Sequence, residues 1–153
     1  MIKKVLIAFD GSEPSKHALN HGVHVAEKFG ADIIIISVVP RVMMPVFPDE
    51  GFGAAPITAA KEFTEYQERM KNFYLEALSD VKENLNKDAP ELNVEFLLEE
   101  GRPSSTVVQK AEEENVDFIV IGSRGLGGIT GFILGSTSRS IVDSCTKPVL
   151  VVK

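Results

Sequence analysis

Four residues toward the end of the chain, Gly122, Gly125, Gly135 and Ser136, fall at the spacing G-x2-G-x9-G-S. The stretch from Phe118 to Val152 around them reads as an apolar strand, a glycine-rich loop, a short helix and a second apolar strand. Such a loop opens at the carboxyl end of a buried strand and closes on a helix amino-terminus, where unpaired backbone N–H groups collect and attract phosphate. Gly122 and Gly125 lack a Cβ, so the backbone there can turn tightly and approach a phosphate or ribose, and Gly135 allows the same approach on the return. Ser136, Thr137 and Ser138 open the short helix and offer hydroxyls and N–H donors to phosphates. The implied chemistry is that of holding a nucleotide. Each part also has a plainer reading, since glycines serve ordinary turns and serines ordinary helix caps.

Two commoner phosphate loops are excluded. A Walker A loop requires G-x4-G-K-[ST], and no lysine lies between Ile121 and Ser138. The dinucleotide fingerprint G-x-G-x-x-G is approached by Gly125 and Gly127, but Thr130 stands where the third glycine belongs and Gly131 is one residue late. That fingerprint also belongs after the first strand, whereas this loop follows the fourth.

The elements that must position the loop alternate along the chain. Lys3–Phe9 is a short β-branched strand, Pro14–Phe29 an amphipathic helix stopped by Gly30, and Asp32–Val39 a second strand. Thr58–Asn86 is a long helix, with Phe63, Tyr66, Met70, Phe73, Ala77 and Val81 stepping by three and four along one face. Leu92–Leu98 is the third strand, Pro103–Glu114 a helix, Asp117–Ile121 the fourth strand, Ser136–Asp143 the last helix and Val149–Val152 the fifth strand. Strands apolar on both faces and separated by helices imply an α/β fold, a parallel sheet covered on each side. The 153 residues are expected to form one domain.

The glycine spacing, preceded by Val116-Asp117-Phe118-Ile119-Val120-Ile121 and followed by Lys147-Pro148-Val149-Leu150-Val151-Val152, resembles the universal stress protein family, more narrowly its ATP-binding branch. The resemblance runs from Lys3-Lys4-Val5-Leu6-Ile7 and Asp10-Gly11-Ser12 to the last strand. It implies a doubly wound five-stranded parallel sheet of order 3-2-1-4-5, with helices on both faces. A ligand then lies outside the carboxyl ends of the strands where their order reverses, between the first and fourth. Asp10 and Gly122 would face that one crevice.

Further roles are implied by the same resemblance. Asp10 corresponds to an acidic residue beside the adenosine and its sugar; its plainer role is to cap the first helix through the Asp10-Gly11-Ser12 turn. Val38 matches a position whose backbone reads the adenine edge, and Ala8, small and close to the crevice, would floor the base. Arg124, inside the loop, could offer charge to phosphate or simply be solvated, and Arg139 reads as a surface helix residue. ATP, or AMP or ADP, is the implied ligand, with Mg²⁺ held largely by phosphate oxygens and water. Hydrolysis has little support. Between Gly122 and Ile141 there is no Asp, Glu, His or Lys to act as base or clamp. At most a slow ATPase is expected.

The remaining features bear on context. A net charge of −6 argues against a protein whose main work is binding nucleic acid. One cysteine forms no internal disulfide, and neither a leader nor a bilayer-length apolar run is evident, so the chain reads as cytoplasmic. His17, His21 and His24 share a flank of the first helix, where solvation is a simpler reading than metal binding. Cys145 reads as buried filler rather than a redox switch. Pro40–Ile57 is long for a connection and carries Met43, Met44, Phe47 and Phe52; it reads as a lid, a partner surface or a loose loop. Val149–Val152 would leave an open sheet edge, and the family pairs through this strand, so a homodimer is expected. Two functions follow: an ATP-binding regulatory or stress-response switch, or a dimeric interaction module without nucleotide. A related ATP-cleaving pyrophosphatase would need Ser-Gly-Gly-x-Asp-Ser where this chain has Asp10-Gly11-Ser12-Glu13-Pro14-Ser15.

Overall fold

A central parallel sheet has the order β3-β2-β1-β4-β5, with β1 at Lys4–Ala8, β2 at Asp32–Pro40, β3 at Val94–Gly101, β4 at Phe118–Gly122 and β5 at Val149–Val152. The computed structural model describes residues 1–43, 57–126 and 134–153. Most of the Pro40–Ile57 connection, with Met44, Phe47 and Phe52, therefore lies outside the described residues, as do Gly127, Thr130 and Gly131. Four helices cover the sheet: α1 at Glu13–Phe29, α2 at Ile57–Asp88, α3 at Pro103–Glu113 and α4 at Ser136–Ser144.

The two-residue period of the strands sorts the core into two layers. Val5 and Ile7 of β1 face one side with Ala18, Val23 and Ala26 of α1 and Leu78 and Val81 of α2. Leu6 faces the other with Val107 and Ala111 of α3 and Ile141 of α4. β1 pairs with β2 from Lys4↔Asp32 to Ala8↔Ile36, and with β4 from Val5↔Phe118 to Ile7↔Val120. Its three central residues are fully buried. This is the doubly wound arrangement, with β1 at the point where strand order reverses.

Local sequence explains α1 closely. Ser12 is the N-cap and accepts from the Ser15 N–H at 3.3 Å, Pro14 sits in the first turn, and Gly30 ends the helix in the left-handed region at φ 63°. The expected capping role of Asp10 thus belongs to Ser12, while Asp10 holds the N–H of Ser12 itself at 2.9 Å. Midway along, Gly22 lets α1 lie directly on β1: a Cβ there would stand 2.5 Å from Cδ1 of Ile7.

Two sequence expectations need correction. The stripe assigned to α2 packs only in its last part: Tyr66 and Phe73 are exposed, Ala77 packs against the core and Val81 is buried, while Tyr74 and Leu78, outside that stripe, are buried and Leu85 packs against the core. A second apolar stripe runs beside the first and meets it at Val81, and contact with the sheet selects it. β3 runs Val94–Gly101 rather than Leu92–Leu98, because Leu92 closes a turn on the Ala89 carbonyl and Glu99–Gly101 continue the ladder beside Val38–Pro40. As an outer strand, β3 carries charges along a solvated edge. β5 lies at the sheet edge, as expected, with Leu150 exposed and Val152 buried.

Outside the core, the Asp117 carboxylate accepts from the N–H groups of Lys3 and Lys4 at 2.6 and 2.9 Å, tying the start of β1 to that of β4. Those two backbone donors, Lys3 first, hold its carboxyl below the usual range. His17, His21 and His24 are exposed on α1; His17 Nδ1 lies 3.3 Å from the Lys153 carbonyl and His24 Nδ1 2.7 Å from that of Asn20. Cys145 ends α4 half-buried, its Sγ accepting from the Lys147 N–H at 3.3 Å.

Candidate functional site

β1 is shorter than β2, and a cleft opens at that difference. Ile36 is the last β2 residue in register with β1, and its carbonyl accepts from the Phe9 N–H at 2.9 Å. Backbone groups alternate sides along a strand, so those of Val38 point the same way as those of Ile36. There β1 has already ended, and the Val38 N–H and C=O face open space. The Ser37 hydroxyl donates to the Phe9 carbonyl at 2.5 Å, which fixes the path of the chain as it leaves β1.

The opposite wall comes from the β4 loop. Its two ends are stitched together: Ser123 donates its N–H to the Val152 carbonyl at 2.6 Å and accepts from the Gly135 N–H at 2.8 Å. The buried Ser138 hydroxyl donates to the Gly122 carbonyl at 2.7 Å. Its hydrogen is therefore committed to holding α4 against β4, a role the sequence did not reveal. Ser136 and Thr137 are exposed at the mouth. Gly135 is the N-cap of α4 and has no side chain to cap the first turn, leaving those N–H groups directed at the cleft.

Asp10 joins the two walls. Besides Ser12, its carboxylate accepts from the Leu126 N–H at 3.2 Å, linking the turn after β1 to the loop after β4. Gly125 lies so close that a Cβ would stand 2.8 Å from Oδ2 of Asp10. The three glycines of the spacing thus differ in what requires them. A Cβ on Gly122 would meet the Pro14 backbone at 2.7 Å, so this glycine admits the start of α1. On Gly135 a Cβ would meet, among the described residues, Arg124 Cα at 3.4 Å, the Ser123 carbonyl at 3.5 Å and the Gly125 nitrogen at 3.9 Å, ordinary contacts. Packing among the described residues therefore does not demand a glycine at 135.

The cleft has a volume of about 530 Å³, within the usual range for small-molecule sites. Every residue singled out for nucleotide contact lines it: Ala8, Asp10 and Val38 on the β1–β2 side, Gly122, Arg124 and Gly125 on the β4 loop, and Gly135 through Ser138 at the start of α4. Arg124 is the one cationic and Asp10 the one anionic side chain among the described lining residues. Sequence reading missed the apolar wall of Ile36, Pro103 and Val107, and also Tyr74, which reaches the cleft from α2. A signal for Tyr74 was available, since Tyr74, Leu78, Val81 and Leu85 also step by four and three. Burial first, and then the Asp10 carboxylate, push the Tyr74 phenol above its ordinary value, so it is a neutral donor near pH 7.

These features fit a nucleotide: a free strand edge for a base, a small Ala8 beneath it, and uncapped helix N–H groups for phosphate. They do not form a metal centre. Asp10 is already engaged by two N–H groups, and the described residues contain no cluster of three or more His, Cys, Asp or Glu suited to an ion. A Mg²⁺ brought in by a nucleotide would be held by phosphate and water.

Comparison with known proteins gives this arrangement a context. Residues 1–153 match the universal stress protein family. A universal stress protein of Methanocaldococcus jannaschii is 31% identical over 153 residues, 100% of this chain and 83% of that one. The UspA universal stress protein from Lactobacillus plantarum superposes with a TM-score of 0.80 at 20% identity, over 99% of this chain and 98% of that one. A universal stress protein from Archaeoglobus fulgidus, solved in complex with dAMP, has the same fold at a TM-score of 0.54 and 19% identity, over 100% and 98% of the two chains.

The bridging role of Asp10 is testable without a ligand. Asp10→Ala strands two backbone donors and should cost about 1–3 kcal/mol, lowering Tm by roughly 2–10 °C. Asp10→Asn keeps one acceptor and should fall between Ala and wild type. Equal Tm for all three proteins in thermal unfolding would contradict the bridge.

Proposed function

The chain belongs to the universal stress protein family, and on that premise we propose that its cleft holds an adenine nucleotide, ATP with Mg²⁺, as a regulatory or stress-response switch. The observation that carries this reading is the uncapped amino-terminus of α4 facing the unpaired edge of Val38 across one cleft. Base and phosphate chemistry are thereby separated across a single site. The adenine is read by the Val38 backbone above Ala8, the sugar lies by Asp10, and the phosphates rest on Gly125, Gly135, Ser136 and Thr137, with Ser138 contributing its N–H and Arg124 its charge. Gly135 supports this, because no described neighbour requires a missing Cβ there, whereas an incoming phosphate would. The same fold holds dAMP in the Archaeoglobus fulgidus protein.

The site is a holder rather than an engine. Both oxygens of Asp10 accept backbone N–H groups, so the one carboxylate among the described lining residues is poorly placed to take a proton from water. We assign little or no intrinsic hydrolysis. A single cysteine suits a reducing, cytoplasmic setting, and no helix among the described residues is long and apolar enough to cross a membrane. We also assign a homodimer through β5, which lies at the sheet edge with Leu150 exposed.

Calorimetric titration of nucleotide-stripped protein with ATP and Mg²⁺ tests the central reading. Binding is expected, weakened at least about tenfold in Gly135→Val, whose circular dichroism should match wild type. If the stripped wild-type protein takes up no adenine nucleotide, the reading is wrong and a dimeric interaction module is left. For assembly, sedimentation should show a wild-type dimer and a Leu150→Lys monomer; a wild-type monomer would remove the β5 pairing.

A further inference from the structure

Tyr74 stands apart from the other residues of the cleft. Its side chain is 5% exposed, yet its hydroxyl has no hydrogen-bond partner among the described residues. No fully buried side-chain nitrogen or oxygen among those residues is left without a partner. The Tyr74 hydroxyl therefore keeps some accessible surface, and Tyr74 is one of the residues that line the cleft. A nine-tenths-buried phenol whose hydroxyl stays accessible is a donor held in place for a ligand acceptor.

The surroundings define what that acceptor can be. The ring is held edge-on to Phe73, with centroids 5.6 Å apart, on a helix whose Ala77 Cβ would lie 3.8 Å from a Cβ placed on Gly11, next to Asp10. Tyr74 and Asp10 line the same cleft, and the Asp10 carboxylate acts electrostatically on the Tyr74 phenol. A phosphate placed there would be repelled by Asp10. A ligand hydroxyl would not, because it can accept from a neutral phenol and donate to a carboxylate at the same time. The helix N–H groups that suit phosphate lie elsewhere, at the start of α4.

Resting on the adenine-nucleotide reading, we propose that Tyr74 is a specificity-determining residue that donates its hydroxyl hydrogen to a sugar hydroxyl beside Asp10. The site then selects ribonucleotides over deoxynucleotides. One neutral hydrogen bond of this kind corresponds to a preference of roughly three- to tenfold.

The test is calorimetric titration of wild type and Tyr74→Phe with the Mg²⁺ complexes of ATP, 2′-deoxy-ATP and 3′-deoxy-ATP. Removing an accessible hydroxyl that has no partner among the described residues should leave the Tm of the free variant unchanged. Wild type should bind ATP roughly three- to tenfold more tightly than at least one deoxy analogue, and Tyr74→Phe should weaken ATP by a similar factor and close that gap. Equal wild-type affinity for all three nucleotides overturns the proposal without recourse to the variant. So does a variant that binds ATP like wild type, or one that loses the same factor for all three. Wild type that binds none of the three, by contrast, overturns the nucleotide reading itself and this proposal with it.

Discussion

β1 is hydrogen-bonded along both edges, to β2 on one side and β4 on the other, and the geometry of the cleft depends on this. Five residues long, it is flanked by a nine-residue β2 that continues past it. Chains leaving β1 and β4 must turn away in opposite directions toward helices on opposite faces, which opens a gap above the end of β1. Val38 is left without a β1 residue opposite it because its neighbour is short. A longer β1 would pair that edge and fill the base end of the cleft.

A gap of this kind is useful only if its walls hold still, and backbone hydrogen bonds supply that stiffness. Asp10 spans from the Ser12 N–H to the Leu126 N–H, while Ser123 ties the β4 loop to both Val152 and Gly135. Ser138 closes the last link by donating to the Gly122 carbonyl. Each such bond contributes about 1 kcal/mol, but their main effect is positional. The start of α4 is held at a set distance from β4, so its uncapped N–H groups are arranged before a ligand arrives. A ligand bound there touches segments from both halves of the chain, and occupancy could be communicated to the surface through them.

Much of this was legible in the sequence where local rules act alone. Pro14 and Gly30 mark the limits of α1 through first-turn and left-handed backbone preference, although the cap is Ser12 and not the expected Asp10, and the apolar run Val149–Val152 is β5 to the residue. Loop glycines and Asp10 pointed to one crevice only through family resemblance, since nothing local relates residue 10 to residue 122. Where tertiary contact decides between equivalent patterns, sequence was insufficient. α2 carries two apolar stripes that meet at Val81, and only the sheet's position selects Tyr74 and Leu78 over Tyr66 and Phe73. β3 hides its end because Glu99 and Glu100 are unremarkable on an outer strand but look like loop residues in a list of letters. The commitment of the Ser138 hydroxyl to Gly122, sixteen residues away, is equally invisible before folding.

The central claim is that one cleft, between the end of β1 and the start of α4, receives base and phosphates at opposite ends. The most direct measurement is backbone amide NMR of ¹⁵N-labelled, nucleotide-stripped protein titrated with ATP and Mg²⁺. The account predicts concerted shifts at Val38, Leu126, Ser136 and Thr137, while Val5 and Ile119 in the middle of the sheet stay in place. Amides at Val38 and Ser136 that do not move at saturating nucleotide, or shifts confined to β3 and β5, would contradict it.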